Sequence, residues 1–167
     1  IEECALRCRK ITRSLLDFGH ISKGERKGID LNDLVDKVIT LIGHEMQLQN
    51  IAIKQELGPD LPDIPGDSQQ LQQVIFNLIG NAKWAIEKKS KREGDTITVR
   101  TESAPEKRGV LVHVSDTGIG ISKENQAKIF EPFFTTKEVG EGTGLGLSVV
   151  YGIVKDHKGT VEVQSEL

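Results

Sequence analysis

The chain has 167 residues and a formal net charge of -3 at pH 7. This length is enough for one domain with a buried core and an appendage. The weakly acidic balance gives no case for nucleic-acid binding, and no apolar run is long enough to cross a bilayer or form a signal peptide.

Residues 1–19 predict a helix with one apolar stripe, because apolar residues recur there at helical spacing. The stripe consists of Ile1, Cys4, Ala5, Cys8, Ile11, Leu15 and Phe18. Cys4 and Cys8 are interpreted as buried thiols, since a metal site would need more ligands than these two. Reduced cysteines favour a cytoplasmic setting. The polar segment 20–29 predicts a linker.

Two longer helices are predicted after this segment. The first begins at an Asp30 cap and the second, over 67–89, at an Asp67 cap. The residues expected to face inward are Leu31, Leu34, Val35, Val38, Ile39 and Ile42 in the first helix, and Leu71, Val74, Ile75, Leu78, Ile79, Ala82, Ala85 and Ile86 in the second. Between them, 51–57 predicts a strand, followed by a loop to Gly66.

The second half of the chain alternates strands and helices. A hairpin is predicted from 96–101 and 110–114, a short helix after Ser122, a longer helix over about 144–155 and a strand over 160–163. The pattern predicts an α/β (α+β) fold, a two-layer sandwich in which a mixed sheet packs on helices.

Two asparagines in the second long helix invite a functional explanation. Asn77 and Asn81 lie four residues apart, so both amides project from one helix face. Asparagine is a poor helix former, and its carbonyl oxygen is a good neutral ligand for Mg²⁺. Two solvated amides remain the alternative.

Glycines cluster at two later places. Asp116 leads into the turn containing Gly118 and Gly120, where a carboxylate can accept a hydrogen bond from an exocyclic amine. The second cluster, over 142–148, opens a helix and can offer backbone N–H groups to phosphates. An ordinary turn and an ordinary cap are the alternatives.

Residues 131–143, between the clusters, predict a mobile loop that we call the lid. Its Lys137 could reach a terminal phosphate or simply be solvated. Phe130, Phe133 and Phe134 are expected to be core anchors at the base of the lid, with Phe134 flanking the nucleotide.

Four segments together resemble the catalytic ATP-binding domain of bacterial two-component sensor histidine kinases, in the GHKL superfamily. The segment 77–82 resembles the N box, 116–121 the first glycine box, 129–137 the F box and 142–147 the second glycine box. The resemblance covers about 67–165. It implies that 30–167 is the ATP-binding domain and that 1–19 is the second helix of a dimerisation hairpin.

The resemblance implies a role for each matching residue. Asn81 would bind Mg²⁺ with help from Asn77, Asp116 would bind the adenine amine, and Asn77 and Lys137 would serve catalysis. The residues expected to contact ATP are Asn77, Asn81, Ala85, Asp116, Gly118, Gly120, Ile121, Phe134, Thr135, Gly142, Thr143, Gly144, Leu145, Gly146 and Leu147.

The resemblance further implies transfer of the γ-phosphoryl group of ATP to a histidine on a partner helix. The expected partners are that helix, a downstream response regulator and a second copy of the parent kinase. Membrane anchoring of the parent kinase is left open. The family's acceptor histidine has no counterpart at His20 or His44, so this chain is expected not to phosphorylate itself. The family also continues past Ser165 into a further strand, so weaker adenine binding is expected here.

Two other functions stay open. A GHKL ATPase related to gyrase, mismatch-repair or chaperone proteins would carry a glutamate at position 77 to activate water, and an amide is a poor base. A nucleotide-sensing interaction module without catalysis would need only the pocket and the helix 1–19.

Overall fold

A computed structural model of the chain describes residues 26–89, 94–104, 109–138 and 141–167. The predicted helix 1–19, with Cys4, Cys8 and His20, lies outside these residues. The described elements are β1 (Lys27–Ile29), α1 (Leu31–Leu48), β2 (Ala52–Leu57), β3 (Ile64–Gly66), α2 (Ser68–Glu87), β4 (Thr96–Ala104), β5 (Gly109–Asp116), α3 (Lys123–Gln126) and α4 (Gly146–Asp156).

The main sheet has three strands in the order β2–β4–β5. Strands β2 and β4 run parallel, whereas β4 and β5 form an antiparallel hairpin, so the sheet is mixed as predicted. A separate antiparallel ribbon joins β1 to β3, with Ile29 opposite Ile64. Neither strand of this ribbon was predicted, because 27–29 were assigned to the linker and 64–66 to a loop.

Both predicted helix caps are present. Asp30 accepts hydrogen bonds from the backbone of Asn32 and Asp33 at the start of α1, at 2.8 and 3.2 Å. Asp67 accepts them from Gln69 and Gln70 at the start of α2, at 2.9 and 3.1 Å. Each cap satisfies amides that a helix leaves without partners, which fixes where the two long helices begin.

The core lies between α1, α2 and the main sheet. All six residues predicted to face inward from α1 are buried. In α2 the prediction holds for Leu71, Val74, Ile75, Ile79, Ala82 and Ile86, while Leu78 and Ala85 are only half-buried. Ile79 and Ile86 are fully enclosed, as are Ile97 and Val99 of β4 in the same cluster.

The end of the chain differs from its prediction. Residues 159–167 contain no strand, so the predicted strand over 160–163 is wrong. These residues, which we call the tail, instead contact the turn after β5: the Ser165 hydroxyl accepts a hydrogen bond from the Ile121 backbone at 2.9 Å. In the described part of the chain, no helix combines the length and apolarity that crossing a lipid bilayer requires.

Candidate nucleotide-binding site

Helix α2 carries the two asparagines toward the second glycine cluster. Both are half-buried. The Asn77 side-chain nitrogen donates to the Gly146 carbonyl oxygen at 3.4 Å, and a Cβ on Gly146 would lie 3.9 Å from the Asn81 side-chain nitrogen. The structure thus places the amide pair beside the first residue of α4, as a shared site requires.

The lid lysine lies against the same helix. Lys137 Nζ donates to Asn81 Oδ1 at 3.2 Å, so the amide oxygen predicted to bind a metal already faces a cation. No group of three or more His, Cys, Asp or Glu residues forms a metal site within the described residues. A Mg²⁺ ion at Asn81 would therefore depend on amide, water and phosphate oxygens, which are ligands it accepts.

The first glycine turn packs on the end of α2. Asp116 Oδ1 accepts a hydrogen bond from the Gly118 backbone at 2.8 Å, and the Ile119 backbone donates to the Ala85 carbonyl oxygen at 3.1 Å. A Cβ on Gly118 would lie 2.5 Å from that of Ala85, a distance that no larger residue tolerates. The close approach fixes the carboxylate of Asp116 relative to α2.

Desolvation raises the pKa of Asp116, although part of the side chain is exposed. The Gly118 amide and the charge of Lys89 act in the opposite direction without cancelling the effect. An acceptor held in partly desolvated surroundings suits a hydrogen bond from a neutral donor such as an exocyclic amine.

The tail covers the other side of this turn. The Gln126 side chain donates to the Ile121 and Ser165 carbonyl oxygens at 2.7 and 2.9 Å. Gly120 has a φ of +72°, and a Cβ there would overlap the Glu166 carbonyl. Only glycine combines this backbone angle with so close a neighbour.

The second glycine cluster leads into α4 without a capping side chain. Gly144 has a φ of +68°, and a Cβ at this position would overlap the Phe133 backbone. The Leu145 backbone donates to the Thr143 hydroxyl at 3.3 Å. The first amides of α4 are therefore available to an anion, which the helix dipole also favours.

Three lid residues lie against one another near the second glycine cluster. The Thr135 hydroxyl accepts a hydrogen bond from the Lys137 backbone at 3.1 Å. A Cβ on Gly142 would lie 2.8 Å from Lys137 Cδ and 3.0 Å from the Thr135 hydroxyl. Thr135, Lys137 and Gly142, all predicted site residues, are thus neighbours.

The aromatic residues of the lid base only partly match their prediction. Phe133 is 65% exposed, so its assignment as a core anchor is wrong. Its positive φ of 68° turns the chain under Gly144 instead. Phe130 and Phe134 are half-buried, and the Phe130 ring lies 5.6 Å from that of Tyr151. Ile129 is the buried residue of this segment.

Three residues that the sequence left unassigned join the lid to α2. Trp84 Nε1 donates to Glu141 Oε2 at 3.4 Å, and Lys88 Nζ lies 3.0 Å from the same oxygen. The Lys88 ammonium, followed by the Trp84 indole, holds the pKa of Glu141 below its usual value, and Glu141 raises the pKa of Lys88. The signal in the sequence was weak: Trp84 and Lys88 follow Asn81 on one helix, but nothing identified Glu141.

A histidine also connects elements of the site. His157 Nε2 accepts a hydrogen bond from the Asp67 backbone at 3.0 Å, while Nδ1 lies 2.8 Å from the Ile153 carbonyl oxygen. The end of α4 is thereby joined to the start of α2. No role was predicted for His157. Of the other described histidines, His44 is exposed on α1 and His113 pairs with Glu102 at 3.1 Å.

Comparison with known proteins adds a family and several relatives. Residues 66–167 match the family described as "Histidine kinase-, DNA gyrase B-, and HSP90-like ATPase". Sensor kinase CckA of Brucella abortus is 37% identical over 100% of this chain and 18% of its own length. Sensor histidine kinase ZraS of Escherichia coli K12 is 33% identical over 96% of this chain and 32% of its own.

Solved structures of histidine kinases are also similar to this chain. The catalytic domain of histidine kinase ThkA superposes with a TM-score of 0.65 at 32% identity, covering 79% of this chain and 82% of that domain. ThkA in complex with response regulator protein TrrA gives 0.64 at 28% identity, covering 93% of this chain and 42% of that chain. This chain spans only 18% to 33% of the length of the curated relatives it matches.

Proposed function

The chain belongs to the histidine kinase-, DNA gyrase B-, and HSP90-like ATPase family, and from this premise we propose that it is the ATP-binding catalytic part of a sensor histidine kinase. One observation carries the proposal. Successive turns of α2 contact the second glycine cluster at Asn77, the lid lysine at Asn81 and the first glycine turn at Ala85. A single helix thus assembles segments suited to phosphate, metal and base.

Each end of the nucleotide has its own group of residues. The carboxylate of Asp116 accepts a hydrogen bond from the adenine amine, which distinguishes adenine from guanine. The backbone amides of 143–146 bind phosphate oxygens at the start of α4. Asn81, assisted by Asn77, supplies amide oxygens to Mg²⁺, which when bound neutralises charge on the phosphates. Lys137 adds a positive charge beside them.

The reaction is phosphoryl transfer to a histidine and not hydrolysis. At the position where a hydrolase of this superfamily would carry a glutamate, this chain has Asn77, whose amide cannot take a proton from water near neutral pH. An imidazole acceptor is itself a nucleophile and needs positioning more than activation. The accepting histidine lies on a separate helix, as the resemblance to sensor histidine kinases implies.

The partners follow from this assignment. We infer a response regulator as the final phosphate acceptor, by analogy with the ThkA–TrrA complex. Residues 1–19 would contribute the second helix of a dimerisation hairpin, which makes the parent kinase a homodimer. An enzyme that uses ATP and a response regulator operates in the cytoplasm, whether or not its parent is anchored in a membrane.

Calorimetric titration with a non-hydrolysable ATP analogue, with and without Mg²⁺, tests the binding step. The wild-type chain should bind more tightly with Mg²⁺, and Asn81→Ala should lose this dependence, with a loss of at least about tenfold in affinity. Gln69→Ala, an exposed amide on the same helix, is the matched control and should bind as the wild type does. An Mg²⁺ dependence that survives in Asn81→Ala would contradict the metal assignment.

The transfer step needs a separate assay. γ-Labelled ATP incubated with this chain and a histidine-bearing hairpin from the parent kinase should yield acid-labile label on the hairpin. Release of free phosphate without labelled hairpin would favour the ATPase alternative. Equal affinity for ATP and GTP analogues would contradict the role of Asp116.

A further inference from the structure

Trp84 touches the lid on two sides. The Lys137 ammonium lies 4.9 Å from the centre of the indole ring, within the range of a cation–π contact. The indole N–H donates to Glu141 Oε2 at 3.4 Å. One side chain of α2 therefore contacts a residue from each end of the segment 137–141.

The second of these contacts is reinforced from the next helical turn. Lys88 Nζ lies 3.0 Å from Glu141 Oε2 and 3.1 Å from Oε1. The same ammonium lies 5.8 Å from the Trp84 ring centre. The carboxylate of Glu141 is thus bound by two side chains, those of Trp84 and Lys88.

The first contact determines the position of a charge. Lys137 also donates to Asn81 Oδ1 at 3.2 Å, so its ammonium is held between the indole ring and the amide of the proposed metal site. A lysine side chain has four rotatable bonds and loses much rotamer entropy when it is ordered. A preformed contact therefore determines how much of the time its charge lies beside Asn81.

We propose that Trp84 is a positioning residue, which holds Lys137 where the terminal phosphate of a bound nucleoside triphosphate lies. The inference rests on the proposed function and extends it. Trp84 acts on the nucleotide through Lys137, and its N–H bond to Glu141 adds a second contact between α2 and the lid. Because Lys137 acts on the terminal phosphate, Trp84 increases the affinity for a nucleoside triphosphate more than the affinity for a diphosphate.

Titrations of four variants with ADP and with a non-hydrolysable ATP analogue test this role. Trp84→Leu should lower the preference for the triphosphate by about threefold to fivefold, the size of an exposed cation–π contact. Trp84→Phe keeps an aromatic face and should retain most of the preference. Lys137→Met should lose at least as much as Trp84→Leu, and the double variant should lose no more than Lys137→Met alone.

Two results would overturn the proposal. If Trp84→Leu weakens both nucleotides equally, the side chain acts on the fold or on the rest of the nucleotide. If the losses of Trp84→Leu and Lys137→Met multiply in the double variant, Trp84 does not act through Lys137. A wild-type chain that binds neither nucleotide would instead contradict the proposed function itself.

The contact of the lid residues Lys137 and Glu141 with Trp84 can also be measured without nucleotide, because Trp84 is the single tryptophan of the chain. Acrylamide should quench its fluorescence more strongly in Lys137→Met and Glu141→Gln than in the wild type, since both lid contacts shield the ring. Lys54→Met, which changes an exposed lysine on β2, is the control and should quench as the wild type does. Unchanged quenching in both lid variants would show that the lid does not lie on Trp84.

Discussion

The two sides of helix α2 are built on different principles. The side facing α1 and the sheet carries buried apolar residues, of which Ile79 and Ile86 are fully enclosed. The side facing the loops presents half-buried polar or amphipathic residues. Asn77 contacts Gly146 at the start of α4, while Asn81 and Trp84 both contact the lid. One side contributes to stability through burial, and the other side brings together the proposed ligand site through individual polar contacts.

Stability and ligand binding are therefore expected to depend on different residues of the same helix. A buried side chain gains from every neighbour it touches, so its loss affects the whole fold. A half-buried amide gains little from one hydrogen bond, so its loss should be felt mainly by the ligand. Three substitutions that differ in size and sign of effect test this separation.

The largest effect is expected for Ile79→Ala. Removing a fully enclosed side chain leaves a cavity, and large-to-alanine changes in such positions cost about 2–5 kcal/mol in the free energy of unfolding. Urea denaturation followed by circular dichroism measures the loss. A cost below about 1 kcal/mol would show that the core side of α2 is not closely packed.

A smaller effect of opposite sign is expected one residue later. Gly80 is exposed in the middle of α2, and a Cβ there would have no neighbour within 4 Å. Gly80→Ala should therefore stabilise the chain by about 0.5–1 kcal/mol, because alanine loses less backbone entropy in a helix. Gly152→Ala, at a similarly open position in α4, is the companion variant in the same denaturation assay. Destabilisation at both positions would contradict the assigned helix geometry.

The smallest effect is expected for Asp116→Asn, and it depends on pH. Because folding raises the pKa of this carboxyl above its ordinary value of 3.8, the folded chain holds the proton more tightly than the unfolded chain. Ionisation at neutral pH therefore costs stability, and the asparagine variant avoids that cost. We expect Asp116→Asn to unfold at slightly higher urea than the wild type at pH 7 while binding ATP more weakly.

The direction of the pH dependence separates this explanation from others. The advantage of Asp116→Asn should shrink as the pH falls toward 3.8, because the wild-type carboxyl then becomes protonated and loses its desolvation cost. Asp36→Asn, at an exposed position of α1, serves as control. An advantage that is constant between pH 7 and pH 4 would show that desolvation of Asp116 is not its cause.

Features set by neighbouring residues could be predicted from the sequence, and features set by distant ones could not. The caps at Asp30 and Asp67 and the apolar stripe of α1 depend on spacing within one helix, and all were predicted correctly. The pairing of β1 with β3 joins two short segments that are separated in sequence by the whole of α1 and β2. No local pattern therefore indicated it. The antiparallel hairpin of β4 and β5 could be predicted because its two strands are close in sequence.

The candidate site divides in the same way. Its glycines and asparagines were recognisable because four segments occur in the order of a known family. The contact of Trp84 with Glu141 spans 57 residues and has no counterpart in local sequence. Residues 160–163 of the tail were predicted as a strand, but no strand forms and Ser165 contacts Ile121 and Gln126 instead. β-Propensity without a pairing partner does not form a ladder. Phe133 was misplaced because apolar character does not reveal a positive φ.

The absence of a capping side chain at the start of α4 has a consequence for how the protein is completed. The two long helices encode their own beginnings in Asp30 and Asp67, whereas α4 begins at a glycine that follows a buried leucine without a cap. An anion at that position would supply the acceptor that the chain omits. If the proposed function is correct, a phosphate of the bound nucleotide fills this position, and the start of α4 is completed by a ligand and not by a side chain.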